Sequence, residues 1–61
     1  MENKERIIRR KELLQRIGLS SATQWRLEKA GHFPSRRRLG RAAVGWLLTE
    51  VELWLASRER A

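Results

Sequence analysis

The chain has 61 residues, a formal net charge of +7 and no cysteine. At that length it is one domain that buries only ~60% of its unfolded surface, so every large apolar residue counts, and disulfide staples and thiolate zinc sites are excluded. Fourteen Lys and Arg face seven acids, all Glu, a balance that attracts polyanions, while the longest apolar run, Ala42 to Leu48, is far too short to cross a bilayer.

Met1 to Glu5 reads as a frayed leader. Basic residues interrupt the N-terminus before any apolar run develops, so no secretory signal is expected and the expected location is cytoplasmic. Arg6-Ile7-Ile8-Arg9 reads as an extended segment that lays one Ile on the core. Arg10 to Ile17 carries Leu13, Leu14 and Ile17 at i, i+1 and i+4, the spacing of a first helix. Gly18 closes it with a residue that accepts positive φ cheaply, and Leu19 turns towards the core. Ser20 is the expected N-cap of a second helix, with Ser21 and Gln24 offering an alternative cap one residue later. Gly31 ends that helix and Pro34 forbids a quick restart.

Two helices across so short a turn form a helix-turn-helix. On the second helix Thr23, Leu27 and Ala30 fall on one stripe, expected to face inward. Ser21, Gln24, Trp25 and Glu28 cluster on the other side, with Arg26 and Lys29 on its flanks. Hydroxyl, amide and guanidinium groups near a helix N-terminus are the inventory needed to touch bases and phosphates.

After Pro34, Ser35 to Leu39 and Ala43 to Trp46 read as two short strands around the turn Gly40-Arg41-Ala42. Alternation turns Leu39, Val44 and Trp46 inward and Arg36, Arg38 and Arg41 outward or to the tip. The run Arg36-Arg37-Arg38 thus occupies a hairpin beside the candidate recognition helix, where a winged helix carries its wing, and a phosphate or minor-groove role follows. Between Glu28 and Glu50 there are five basic residues and no acid. Thr49-Glu50-Val51-Glu52 has capping-box spacing and opens a third helix, with Val51, Trp54 and Leu55 inward. Leu53 points away. With Leu47 and Leu48 it leaves more apolar surface than one small core requires, a candidate surface for self-association or a protein partner. The fold expected is mainly α with a small β-hairpin: a single winged helix-turn-helix domain over residues 1–61, three short helices plus a two-stranded wing.

Gly18-Leu19-Ser20, Thr23, Trp25-Arg26-Leu27, Ala30-Gly31, Phe33-Pro34, Leu39-Gly40, Trp46, Glu50-Val51-Glu52 and Trp54-Leu55 occur in an order that resembles the AlpA family of phage and prophage regulators, within the wider MerR-like and excisionase-like winged helices. The resemblance covers roughly Arg6 to Arg58. It implies a DNA-binding protein whose second helix enters the major groove, with the hairpin as wing and with Ser21, Thr23, Gln24, Trp25 and Arg26 making most contacts. Gln24 stands where that family commonly has an aliphatic residue, Trp25 where it often has Tyr, and Leu47 and Leu48 where polar or charged residues are usual.

The leading expectation is a sequence-specific double-stranded DNA binder that regulates transcription of a phage or integrated element. Its candidate contacts are Ser20, Ser21, Thr23, Gln24, Trp25, Arg26 and Lys29 on the helix and Arg36, Arg37, Arg38 and Arg41 on the hairpin. The alternatives are an excisionase-type architectural protein, which bends DNA for a recombinase, and a module that inhibits a partner through Leu47, Leu48 and Leu53. An enzyme is not expected: the chain lacks Cys, Asp and Tyr, and His32 sits in a turn without an obvious carboxylate. Glu50 and Glu52 point to different helix faces, and capping accounts for them. No cofactor, catalytic residue or metal site is expected, and RNA binding would want an aromatic strand platform that the sequence does not offer.

Overall fold

The computed structural model describes residues 6–58, so the leader expected at Met1 to Glu5 lies outside the described residues. The element order is β1 (Ile7–Ile8), α1 (Arg10–Ile17), α2 (Ser21–Lys29), β2 (Arg37–Arg38), β3 (Val44–Leu47) and α3 (Leu48–Ala56). The expected hairpin is present, but it belongs to a three-stranded antiparallel sheet in the order β1-β3-β2. The Arg6–Arg9 segment supplies the third strand, Ile7 opposite Leu47 and Ile8 opposite Trp46. A two-residue strand has no periodicity of its own to announce it, so only its partner reveals it.

Local chemistry sets the helix ends. Gly18 adopts φ 71°, and its N–H donates to the Leu14 carbonyl at 2.9 Å. Ser20 is the N-cap of α2 and accepts from the Thr23 N–H at 3.2 Å, which selects Ser20 over Ser21. At the other end Gly31 adopts φ 83°. Its N–H reaches the Glu28 carbonyl, and the His32 N–H reaches Leu27 at 2.8 Å, the paired bonds of a Schellman ending. The capping box expected at Thr49 does not form. β3 runs directly into α3, which begins at Leu48 with no side-chain cap. The Leu48 N–H donates to the Arg6 carbonyl at 2.8 Å, so sheet pairing satisfies a donor that a cap would otherwise serve.

Ile8, Leu13, Phe33, Trp46 and Val51 form the buried core, with Ile17, Leu27, Val44, Leu48, Trp54 and Leu55 packed around it. Trp54 is half-buried. It meets Phe33 edge-on with ring centroids 4.7 Å apart, and its indole N–H donates to the His32 carbonyl at 2.7 Å, tying α3 to the turn after α2.

The register of β2 corrects the reading of the hairpin. Arg37 pairs with Gly45 and Arg38 with Val44, so Leu39 falls on the Gly45 face and Arg36 on the Trp46 face. A one-residue slip in register exchanges the two faces of a strand. Leu39, expected inward, is therefore 43% exposed. With Ile7 it covers Gly45 so closely that a Cβ there would come within 3.0 Å of Leu39 and 2.5 Å of Ile7. Glycine is what permits this close approach.

The apolar surplus is also smaller than the sequence suggests. Leu48 packs on the core, Leu47 is half-buried opposite Ile7, and only Leu53, at 71%, stands fully out. The three leucines do not form one exposed surface. Among the described residues no helix is long and apolar enough to cross a membrane.

Candidate nucleic-acid interface

The second helix presents a different face from the one its apolar pattern suggests. Gln24 is fully buried, Leu27 and Glu28 are half-buried, Thr23 is half-buried, and Ala30 is exposed. The inward stripe is therefore Gln24, Leu27 and Glu28, turned about one residue from Thr23, Leu27 and Ala30. Gln24, expected to read bases, is corrected to an interior residue. Leu27 is common to both stripes and is the only large aliphatic residue on the helix, so hydrophobicity alone could not fix the rotation. Partners distant in sequence fix it.

Those partners converge on Glu28. Its carboxylate accepts from the Gln24 amide at 2.7 Å, the Arg36 backbone N–H at 2.9 Å, the Arg36 guanidinium at 2.9 and 3.2 Å, and the Trp46 indole N–H at 3.4 Å. The side chain of Glu28 is only 9% exposed. A buried charge is tolerable when it is paired and its lone pairs are used, and here both conditions hold. Arg36, expected on the outer face, instead lies with its guanidinium 4.8 Å from the Trp25 ring centre and 5.3 Å from that of Trp46. The Gln24 carbonyl oxygen is buried with no partner.

Burial disfavours the charged form of Glu28, but the hydrogen bonds from the Arg36 side chain and backbone and from Gln24 outweigh it and hold the carboxyl below its ordinary value. A depressed folded-state value gives stability that is fully present above the unfolded-state pKa and is lost as pH falls through the folded one. The melting temperature should therefore hold near neutrality and decline once pH drops below the ordinary glutamate range, about 4.3. Glu12, held down first by its hydrogen bond from Arg16 and also by Arg6, slopes the same way. Thermal melts of Glu28→Gln across pH 7 to 3 should accordingly show a flatter profile, not a flat one; an unchanged slope would remove Glu28 from this role.

The remaining candidate contacts divide by what already holds them. Trp25 is 45% exposed, and Ser21, Arg26, Lys29, Arg38 and Arg41 are exposed. Ser20 is occupied as the cap, its hydroxyl 3.0 Å from that of Thr23. Arg37 donates to Glu50 at 3.1 Å, on the Gly45 face of the sheet and away from Trp46. Such an exposed pair contributes little to stability, but it turns Arg37 away from the face that carries Arg36 and Trp46. Arg38 and Arg41 have no carboxylate partner among the described residues.

Sequence reasoning missed Arg10. Its guanidinium donates to Ser21 at 3.3 Å and lies 5.6 Å from the Trp46 ring centre. Arg10, Ser21, Ala22, Trp25 and Arg36 line a hollow of about 540 Å³ at the N-terminal end of α2. A lone arginine at the start of a helix carries no sequence signal for that position; its place is set by contacts with Ser21 and Trp46, distant in sequence. The described residues contain no cluster of three or more His, Cys, Asp or Glu that could hold a metal ion. His32 lies at the opposite end of α2, beside Phe33, Pro34 and Trp54.

A hydrogen-bonded helix-turn-helix with a basic hairpin beside it narrows the comparison with known proteins. The family model described as prophage CP4-57 regulatory protein (AlpA) matches residues 6–59. The chain belongs to the AlpA family. It is 36% identical over 59 residues to the DNA-binding transcriptional activator AlpA of Escherichia coli (strain K12), covering 87% of this chain and 84% of that protein. It is also 41% identical over 54 residues to an uncharacterized protein, ORF88, of Enterobacteria phage P4. That match takes in 88% of this chain but only 61% of the phage protein. Gln24, which departs from the aliphatic residue that the family resemblance expects, is fully buried, so position 24 is a core position.

Proposed function

We propose that this chain is a sequence-specific double-stranded DNA-binding transcriptional regulator of a phage or integrated element. In this reading α2 enters the major groove through Ser21, Trp25, Arg26 and Lys29, and the β2–β3 hairpin lies on the backbone or minor groove through Arg38 and Arg41. The observation that carries it is the carboxylate-free outer face of α2 beside that hairpin: the sole acid on the helix, Glu28, is turned inward and neutralised by Arg36. A polyanion approaching this side meets cations and hydrogen-bond donors with no opposing charge. Membership of the AlpA family and the name of the Escherichia coli relative support the same reading.

Arg10, Arg26, Lys29, Arg38 and Arg41 offer about four to five phosphate contacts, so log K should fall with log salt at a slope of roughly −4. Arg38→Ala and Arg41→Ala should weaken binding to every duplex alike and make the slope shallower by about one each, whereas Arg37→Ala should leave it unchanged. Titrations at several salt concentrations measure all three. A slope near zero, or no duplex binding at low salt, would sink the DNA reading. Footprinting on the DNA around its own gene then assigns the role. A protected promoter supports a regulator, and protection confined to a recombination attachment site moves the chain to the excisionase-type reading.

A further inference from the structure

Glu28 joins three segments of the fold. It projects from α2, bonds the backbone as well as the guanidinium of Arg36 in the segment leading to β2, and reaches the indole N–H of Trp46 in β3. The guanidinium it holds lies against two indoles, 4.8 Å from Trp25 and 5.3 Å from Trp46. One of those rings is fully buried; the other is the large exposed aromatic of α2. An exposed indole on a helix surface has several rotamers open to it. A planar cation fixed on one of its faces limits that choice.

We propose that Glu28 is the positioning residue of the interface: it touches no DNA, and through Arg36 it holds the Trp25 indole and the start of the hairpin in one register. The inference rests on the duplex-binding reading and adds to it a division of labour among the arginines. Arg36 carries a charge that Glu28 already neutralises, so its work is alignment, while Arg38 and Arg41 carry the charge that meets phosphate. Removing the Glu28 charge has two consequences of opposite sign. Helix and wing lose their common register, which harms recognition of a particular sequence. The released Arg36 becomes a mobile cation beside a polyanion, which helps binding to any sequence.

The test uses a 30-base-pair duplex that the unsubstituted chain selects from a random-sequence pool, and a random duplex of the same length. Glu28→Gln, folded by circular dichroism, should bind the selected duplex at least ten-fold more weakly. It should bind the random duplex as well as or better than the unsubstituted chain, with a salt slope steeper by up to about one. A side chain that merely stabilises the fold would not steepen the slope. Equal losses on both duplexes, or no loss on the selected one, overturn the proposal. If Glu28→Gln is unfolded at the assay temperature, Arg36→Lys takes its place, since it keeps the charge and loses the planar stack. It should lose the selected duplex ten-fold while folded, and retention of full preference overturns the proposal. A pool from which the unsubstituted chain selects nothing overturns the duplex-binding reading, and this inference with it; selection followed by equal losses overturns this inference alone.

Discussion

Trp46→Ala should leave the chain unfolded at room temperature, whereas Trp25→Ala should leave it folded and poorly able to bind DNA. Trp46 is fully buried, lies on the core face of β3 and donates its indole N–H to Glu28. Truncating a buried aromatic costs about 3–5 kcal/mol through lost burial and the cavity left behind. A single core of this size rarely supplies more than ~3–5 kcal/mol in total. The loss and the reserve are therefore equal, and the folded state should no longer dominate. Trp54 belongs to neither class. It is half-buried and holds the His32 carbonyl and the Phe33 ring, so Trp54→Ala should lower the melting temperature without abolishing the transition. Trp25 contributes an exposed ring, and its truncation should cost about ten-fold in duplex affinity, in line with the ~1–3 kcal/mol of a good base-edge contact in the major groove. Circular dichroism melts and one binding titration on the three variants separate these outcomes. A Trp25→Ala variant that melts like Trp46→Ala would show that Trp25 is a packing residue and would remove it from the interface.

The sequence made most of the frame legible, because the residues that end helices are local in their effect. Gly18, Ser20 and Gly31 each act through φ or a bond to a neighbour two to five positions away, and each sits where its chemistry indicates. The errors share another cause. The face of α2, the face of Leu39 and the start of α3 are all decided by groups far along the chain: Arg36 and Trp46 for α2, the β2 register for Leu39, and the Arg6 carbonyl for Leu48. Amphipathicity could not choose between two rotations of a helix that offers only Leu27 as a strong apolar marker. A polar Gln and a Glu at the inward positions look like surface until the half-buried Arg36 is known to meet Glu28. The same mechanism divides the arginine run. Arg36, Arg37 and Arg38 are alike in sequence, yet one is half-buried and neutralised by Glu28, one is paired on the far face of the sheet, and one has no carboxylate partner among the described residues.

Gln24→Leu should stabilise the protein and leave its DNA preference intact. The Gln24 side chain is fully buried, and its carbonyl oxygen meets no donor. An orphaned buried acceptor costs about 1–3 kcal/mol. The substitution removes that cost and adds apolar burial in a site where the family resemblance expects an aliphatic side chain. It gives up the 2.7 Å bond from the Gln24 amide to Glu28. The carboxylate nevertheless keeps the Arg36 side chain and backbone and the Trp46 indole as donors, so no new orphan is created. A net gain of about 1 kcal/mol should raise the melting temperature by roughly 4–8 °C in a domain this small. A lowered melting temperature would mean that the Gln24–Glu28 bond outweighs the orphaned oxygen. A protein that melts higher yet no longer distinguishes its selected duplex from random DNA would return Gln24 to the reading surface. With stability raised and preference unchanged, position 24 is core, and recognition falls to Ser21, Trp25 and Arg26.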